Sequence, residues 1–428
     1  MKKTLLTICL VWMCFSLSAQ KIIDLSGKWS FSIDRQDNGE KEKWFSHTLN
    51  DFINLPGSMP EKQKGDEVTA KTQWTGSLYD SSYYYNPYME KYRKEGNIKF
   101  PFFLTPDKHY VGAAWYQKEV NIPADWKGER ILLFLERPHI ETTVWVNGQK
   151  TGMQNSLCVP HQYDITRYVR PGKCTITIRV DNRIKEINVG PDSHSITDQT
   201  QGNWNGIVGR ICLQTTPKTY FDDIQIYPEP EQKLARVKVV IKGTGTAKVK
   251  LSAESFNTDK KHIVPAIQQE IKLNKGVTET EMVLPMGNDM LLWDEFHPAL
   301  YKLKAEVTNG KKTEIKEIQF GMRRFEIKGK WFYVNGRKTQ LRGTVENCDF
   351  PLTGYAPMDV ESWERVFRIC RSYGLNHMRF HSFCPPEAAF MAADRVGFYL
   401  QPEGPSWPNH GPKLGLGQPI DKYLMDET

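Results

Sequence analysis

Long apolar runs, metal-type cysteine spacings and blocks of like charge are all missing from this 428-residue chain. Beyond the N-terminal segment no apolar stretch reaches the about 18 residues that cross a bilayer. Mean hydropathy is −0.54, so a multi-span membrane protein does not fit. Basic residues never run five or six together, although the net charge is +7. Charge this diffuse argues against a nucleic-acid partner. Of the eight cysteines, Cys9 and Cys14 fall in the N-terminal segment. The other six, Cys158, Cys174, Cys212, Cys348, Cys370 and Cys384, form neither a C-x-x-C nor a cluster with histidine. A zinc or redox motif is therefore not indicated, and no metal or cofactor is expected. Buried, unpaired thiols are the expectation.

What is present suits a large, exported, folded protein. Lys2 and Lys3 precede an apolar stretch from Leu5 to Leu17. It is too short for a membrane span and has the form of a leader. Cleavage after Ser18 or after Ala19 remains open, with 1–19 as the working leader. The expected location is periplasmic or extracellular, with no membrane span left after cleavage. At roughly 100–200 residues per domain, the remainder holds two to four domains.

Residues from about 25 to 325 read as β structure. Ile131–Leu135 is a short apolar run, followed by Thr142–Val146 and the turn Asn147-Gly148. Both turn residues tolerate positive φ, so a hairpin is predicted. Cys174–Val180 alternates strictly. Short strands at this spacing indicate a sandwich. Residues 81–110, rich in Tyr and Pro, read as a long loop or insertion. From Tyr220 a second set of alternating strands suits an immunoglobulin-like sandwich. The lysines between 233 and 275 fall on its solvated face.

After Arg324 the pattern changes. Asn335-Gly336 predicts another hairpin. Asp359 is a candidate N-cap for a helix that Gly374 ends, and Pro386 starts a second helix that Gly397 ends. With strands at Leu375–Phe380 and Phe398–Leu400, this is parallel α/β structure. Three strands in about 100 residues are fewer than the eight of a closed barrel, so the sequence is expected to stop within a domain.

These ordered pieces resemble the family-two glycoside hydrolases, the β-galactosidase and β-glucuronidase group. The resemblance rests on Ala114-Trp115-Tyr116, Val144–Gly148, Tyr163–Thr166, Arg179–Asn182 and Gly206–Arg210 in the first sandwich. It continues through Leu292-Trp293, Pro298, Leu300-Tyr301, Phe320–Arg323 and Leu341–Gly343. Its most specific part is Asn376-His377-Met378-Arg379, with Asp394, Gly397 and Phe398–Leu400 at matching spacing. The sequence departs just after the arginine: His381 comes one place early, Cys384 replaces a proline, and Gln401-Pro402-Glu403 replaces the usual Asp-Glu. The resemblance implies a multidomain, mainly β chain. The order is a leader (1–19), a jelly-roll β-sandwich (20–219), an Ig-like β-sandwich (220–321) and the incomplete start of a (β/α)8 TIM barrel (322–428).

It also implies retaining hydrolysis of β-glycosidic bonds, with a carbohydrate as partner. Retaining glycosidases need two carboxylates about 5–5.5 Å apart. In this family both are glutamates on later barrel strands, so both are expected beyond Thr428, and the chain alone is expected to be inactive. The strand ends supply the candidate binding residues. Arg379 matches the family arginine that orients the nucleophile, the alternative being a barrel salt bridge. Glu346 and Asn347 fall where relatives place a sugar-contacting histidine. His381 either meets sugar or packs in the barrel. Glu403 binds a hydroxyl or holds the arginine. Trp407 forms a stacking wall or packs on the barrel. Asn203, Trp204 and Asn205, from a jelly-roll loop, suit sugar recognition or form an ordinary turn. Sugar, linkage and oligomer stay open. A non-catalytic carbohydrate-binding protein and a truncated inactive product are the competing readings.

Overall fold

The computed structural model describes residues 20–77, 81–100, 104–185, 187–407 and 413–427. The expected leader lies outside the described residues.

Two antiparallel sheets build the first sandwich. One orders Ile22–Asp24, Gly206–Thr216, Arg130–Pro138 and His161–Asp164, with Gly57–Ser58 pairing beside Gly206–Thr216. The other orders Gln149–Asn155, Glu141–Val146, Gly172–Asp181, Ala113–Ile122, Gly27–Asp34 and Asp51–Leu55. Alternation delivers Cys174, Ile176, Ile178 and Val180 to a core shared with Trp29, Phe31, Tyr116, Leu133 and Ile207. The turn at Asn147-Gly148 has φ of 50° and 77°, the left-handed geometry its sequence predicts. The stretch 81–110 is not one loop. It holds a helical turn at Ser82–Tyr85, a 3-10 turn at Pro87–Tyr92 and a short strand at Lys108–His109.

The second sandwich is a five-stranded sheet folded over on itself. Leu234–Phe256 and Ile263–Pro285 are each 23 residues long. Their pairing shifts register between Gly243 and Gly245. A Cβ on Gly243 would meet Thr219 Oγ1 at 2.6 Å, so the bend needs a residue without one. The core joins Val237, Val239 and Ile241 to Val249, Leu251, Tyr301 and Leu303. The lysines alternate outward, as the sequence pattern implies.

A small antiparallel sheet follows, Phe325–Lys328, Trp331–Val334 and Arg337–Thr339, turning at Asn335-Gly336. Then three strands run parallel and side by side: Gly343–Glu346, His377–Phe380 and Tyr399–Gln401. Helix Val360–Ser372 links the first two and Glu387–Val396 the last two. Asp359 caps the first helix by accepting from Ser362 N at 2.8 Å. Gly397, at φ 78°, ends the second. Met378 and Phe380 pack under these helices with Trp363, Phe367 and Ala389. Arg379, neighbour to Val345 and Gln401 in the register, lies on the opposite face. Little covers that face among the described residues, since Val345 is 46% exposed. A fourth helix, Pro419–Glu427, stands where the sequence shows no pattern. It docks Ile420 and Tyr423 on Ile140, Leu157, Val189 and Ile196 of the first sandwich.

The joint between the second sandwich and the parallel strands uses residues of the signature itself. Trp293 Nε1 donates to Asp394 O at 2.7 Å. Asn376 Nδ2 donates to Glu295 Oε2 at 2.5 Å, while its Oδ1 accepts from Arg342 N at 2.7 Å.

Candidate functional site

In parallel α/β sheets, ligands meet the C-terminal strand ends, where the loops converge. Here those ends bring Arg379, His381, Ser382, Glu403 and Trp407 together with His194 from the first sandwich. Arg379 Nε donates to Glu403 Oε1 at 2.5 Å, and Ser382 N donates to Glu403 Oε2 at 2.7 Å. Burial alone would raise the Glu403 carboxyl, but Arg379 and the Ser382 N–H hold it below the usual carboxylate range. Glu403 thus holds the arginine, one of the two roles its position allows. The Arg379–Glu403 pair engages Nε, and the Arg379 side chain stays 38% exposed.

His381 and Trp407 pack with ring centroids 4.7 Å apart and planes tilted by 44°. His194 lies 4.3 Å from His381 and 5.0 Å from Trp407. The three rings form one aromatic wall. Burial, with the adjacent His381, lowers the His194 imidazole to about 4. Burial and Arg379 lower His381 in the same direction. Both shifts favour the neutral rings, so the cluster is an uncharged aromatic surface.

Ser382 anchors this arrangement. Its φ of 44° is left-handed, an uncommon backbone for serine, and four neighbours fix it. Its N–H goes to Glu403. Its carbonyl accepts from Ser195 Oγ at 2.8 Å and Ser193 Oγ at 3.3 Å. Its hydroxyl lies 2.9 Å from His194 N and 2.8 Å from His194 Nδ1. The 190–205 loop therefore reaches the strand ends from the first sandwich. Asp198 Oδ2 holds that loop to Gly76 N at 3.0 Å, and Asp192 holds it to Ser77 N at 2.8 Å. Sequence reasoning missed His194, Ser193, Ser195 and Ser382. Their partners lie 187 to 189 residues apart, and no local pattern marks them.

Glu346 sits at the end of the first parallel strand. It accepts from Cys348 N at 2.7 Å and Asp349 N at 3.3 Å. Burial raises its carboxyl against those bonds. Asn347 beside it is half-buried.

Asn203, Trp204 and Asn205 do not join the wall. Asn205 is fully buried. Its Nδ2 donates to Gly112 O at 2.9 Å and Val180 O at 3.1 Å, and its Oδ1 accepts from Tyr116 at 2.8 Å. Asn203 Nδ2 donates to Asn182 O at 2.8 Å, and its Oδ1 lies 3.1 Å from His139 Nε2. Trp204 is 3% exposed and stacks on His139 at 4.5 Å. The amides close backbone gaps in the sandwich, so the aromatic between two amides is an internal brace rather than a sugar-facing triplet. Asn205→Ala is accordingly expected to lower stability by about 2 kcal/mol through its orphaned partners, read by urea denaturation. Unchanged stability with weakened sugar binding would reverse this assignment. A groove of about 550 Å³ lies elsewhere, between Asp24, Glu136, Arg210, Tyr355 and Asp359, and contains none of the expected residues.

The first sandwich and the second each match a family description in full sequence order. Residues 22–217 match the sugar-binding domain of glycosyl hydrolases family 2, and residues 219–323 match a second domain of glycosyl hydrolases family 2. The chain belongs to glycosyl hydrolase family 2. Among its family 2 relatives, a β-galactosidase of Thermoanaerobacter pseudethanolicus is 24% identical over 334 residues, covering 74% of this chain and 42% of the relative. Human β-glucuronidase is 24% identical over 417 residues, covering 89% and 57%. The chain spans about half the length of these curated relatives. The apo β-glucuronidase of Ruminococcus gnavus superposes with a TM-score of 0.67 at 19% identity, over 95% of this chain and 63% of that one. At that identity the likeness is one of fold.

Proposed function

We propose that this family 2 chain serves an exported, retaining β-glycosidase acting on β-linked sugars of oligosaccharides, polysaccharides or glycans. The domain order is that of the sequence reading: 20–219, 220–321, and 322–428 as the beginning of a (β/α)8 barrel. The observation that carries this reading is the Arg379–Glu403 pair at the ends of parallel strands, facing an aromatic wall of His381, Trp407 and His194. A partly exposed guanidinium suits a carboxylate or sugar hydroxyls, and an uncharged cluster of aromatic rings suits a pyranose face. The uncovered face bearing Val345 and Arg379 is the side that further barrel strands would occupy.

Neither glutamate at these strand ends is positioned for glycosidic chemistry. Glu403 is committed to Arg379 and Ser382, and Glu346 to its own loop. The acid/base and nucleophile are assigned to later strands, as in the family. The purified 428-residue chain is therefore expected to release no aryl alcohol from aryl β-glucuronide or β-galactoside. A longer product that supplies the later barrel strands is expected to turn over one of them. In that longer product Arg379→Ala should cut kcat/KM by about 10²–10³-fold while the melting temperature moves little. Turnover by the 428-residue chain that Glu403→Gln abolishes would place the chemistry here instead. Unchanged turnover with a large loss of stability would make Arg379 a barrel salt bridge.

A further inference from the structure

All six cysteines beyond the N-terminal segment are free thiols. Two of them, far apart in sequence, meet where the first sandwich touches the parallel strands. Cys158 follows the sandwich strand Gln149–Asn155. Cys384 lies just beyond the second parallel strand, two residues past Ser382. Both share the lining of a cavity of about 20 Å³, room for about one water, and the Cys384 thiol donates to Pro385 O at 3.7 Å.

Both backbones are fixed around this cavity. Arg137 Nη2 donates to Cys158 O at 2.9 Å, and Arg137 Nη1 donates to Cys384 O at 2.8 Å. One guanidinium thus grips both cysteines from beneath. On the other side Glu427 accepts from Cys158 N at 2.7 Å and Leu157 N at 2.9 Å. Arg137 and Glu427 therefore hold the backbones of both cysteines at one small cavity. Cys174 and Cys212 have no comparable setting: each is buried within the first sandwich.

We propose that Cys158 and Cys384 are a redox pair that closes into a disulfide between the first sandwich and the parallel-strand region, beside the candidate site. The pairing also divides the labour. The Cys158 side chain, helped by Arg137 and opposed by burial, lowers Cys384 to about 7, while Cys158 rises. Cys384 is thus the attacking thiolate and Cys158 the resolving thiol. With a small disulfide as oxidant, the Cys384 thiolate attacks one oxidant sulfur and expels the other as thiolate. The Cys158 sulfur then attacks Cys384, forming the Cys158–Cys384 bond and releasing the second oxidant thiolate. Two S–H bonds and one oxidant S–S bond break. One protein S–S bond forms, and two electrons and both protons end on the two oxidant thiols. Because Cys384 is tied through Phe383 to the Ser382 that holds His194 and Glu403, closing the bond fixes the sandwich loop over the strand ends.

The test uses the purified chain, unaltered, in buffers poised with oxidised and reduced glutathione, followed by alkylation and peptide mass mapping. The expected product is a cross-linked pair of peptides carrying Cys158 and Cys384, two hydrogens lighter than the reduced pair. Its melting temperature is expected to rise by roughly 5 °C and to fall back on reduction. Cys384→Ser and Cys158→Ser should each abolish the cross-link, and Cys212→Ser should leave it. Because the unaltered chain gives the map directly, a variant that fails to fold does not decide the matter. Glutathione mounted separately on both cysteines, a cross-link between other cysteines, or both thiols remaining reduced under oxidising poise would each overturn the proposal.

Discussion

Lowering the pH from 7 to 5 is expected to remove about 4 kcal/mol of folding stability through two buried histidines of the first sandwich. His139 is 3% exposed and His161 fully buried. Burial pushes each imidazole down to about 3, while an unfolded histidine titrates near 6.5. Below 6.5 the unfolded chain takes up protons that the folded chain refuses, so stability falls as the pH falls. It is fully present above 6.5 and is lost progressively toward 3. At pH 5 each histidine contributes roughly 2 kcal/mol to that loss. The surroundings explain the refusal. His139 is stacked under Trp204 with Nε2 against Asn203, and His161 Nδ1 lies 2.6 Å from Thr142 Oγ1. No carboxylate stands among these partners to receive a second proton's charge. Glu314 and Glu346, raised by burial, act in the opposite sense. The measurement is therefore the difference between the unaltered chain and a His139→Gln/His161→Gln double variant, by urea unfolding at pH 7, 6 and 5. Parallel pH profiles for the two would remove the histidines from the explanation.

Asp181→Ala is expected to cost about 3–5 kcal/mol, the penalty for breaking a buried ion pair from one side. Asp181 is fully buried at the end of strand Gly172–Asp181. Its carboxylate receives Arg179 Nη2 at 3.0 Å, Arg183 Nη2 at 2.6 Å and Lys185 Nζ at 2.9 Å. Burial would raise this carboxyl, yet Arg183, Lys185 and Arg179 together hold it far below the usual range. Asp37 and Glu141 complete the cluster around the same cations. Without Asp181, Arg179 keeps a side chain only 9% exposed and loses its buried partner. Asp181→Asn should recover part of the loss, because the amide oxygen still accepts. A urea midpoint unchanged in Asp181→Ala would show that Asp37 and Glu141 suffice.

Much of the scaffold was written locally. Asn-Gly at 147 and 335 each turned a hairpin because both residues accept positive φ. The strict alternation of Cys174–Val180 set one face into the core. Asp359 and Gly397 marked helix ends by chemistry confined to a turn. The residues that gather at the candidate site were legible at the strand ends, as at Arg379, His381 and Glu403, and at Trp407 in the loop beyond the third strand. The partners that organise it were not. His194 meets His381 through a loop whose sequence has no period, and Ser382 acts through its backbone. Asn203 and Asn205 misled for the converse reason: amides flanking an aromatic look alike whether they meet a sugar or close a gap in a sandwich. Helix Pro419–Glu427 was invisible because its packing partners Ile140, Leu157, Val189 and Ile196 lie more than 200 positions away.

That last helix also sets a timetable for synthesis. The Leu157 N–H and its Glu427 partner are 270 residues apart. At 5–20 residues per second, roughly 15–50 s separate their emergence from the ribosome. For that interval the first sandwich carries an uncovered apolar face of Ile140, Leu157, Val189 and Ile196, with the N–H groups of Leu157 and Cys158 open to other acceptors. A nascent chain paused before codon 419 therefore leaves this apolar face uncovered, and docking of Pro419–Glu427 covers it.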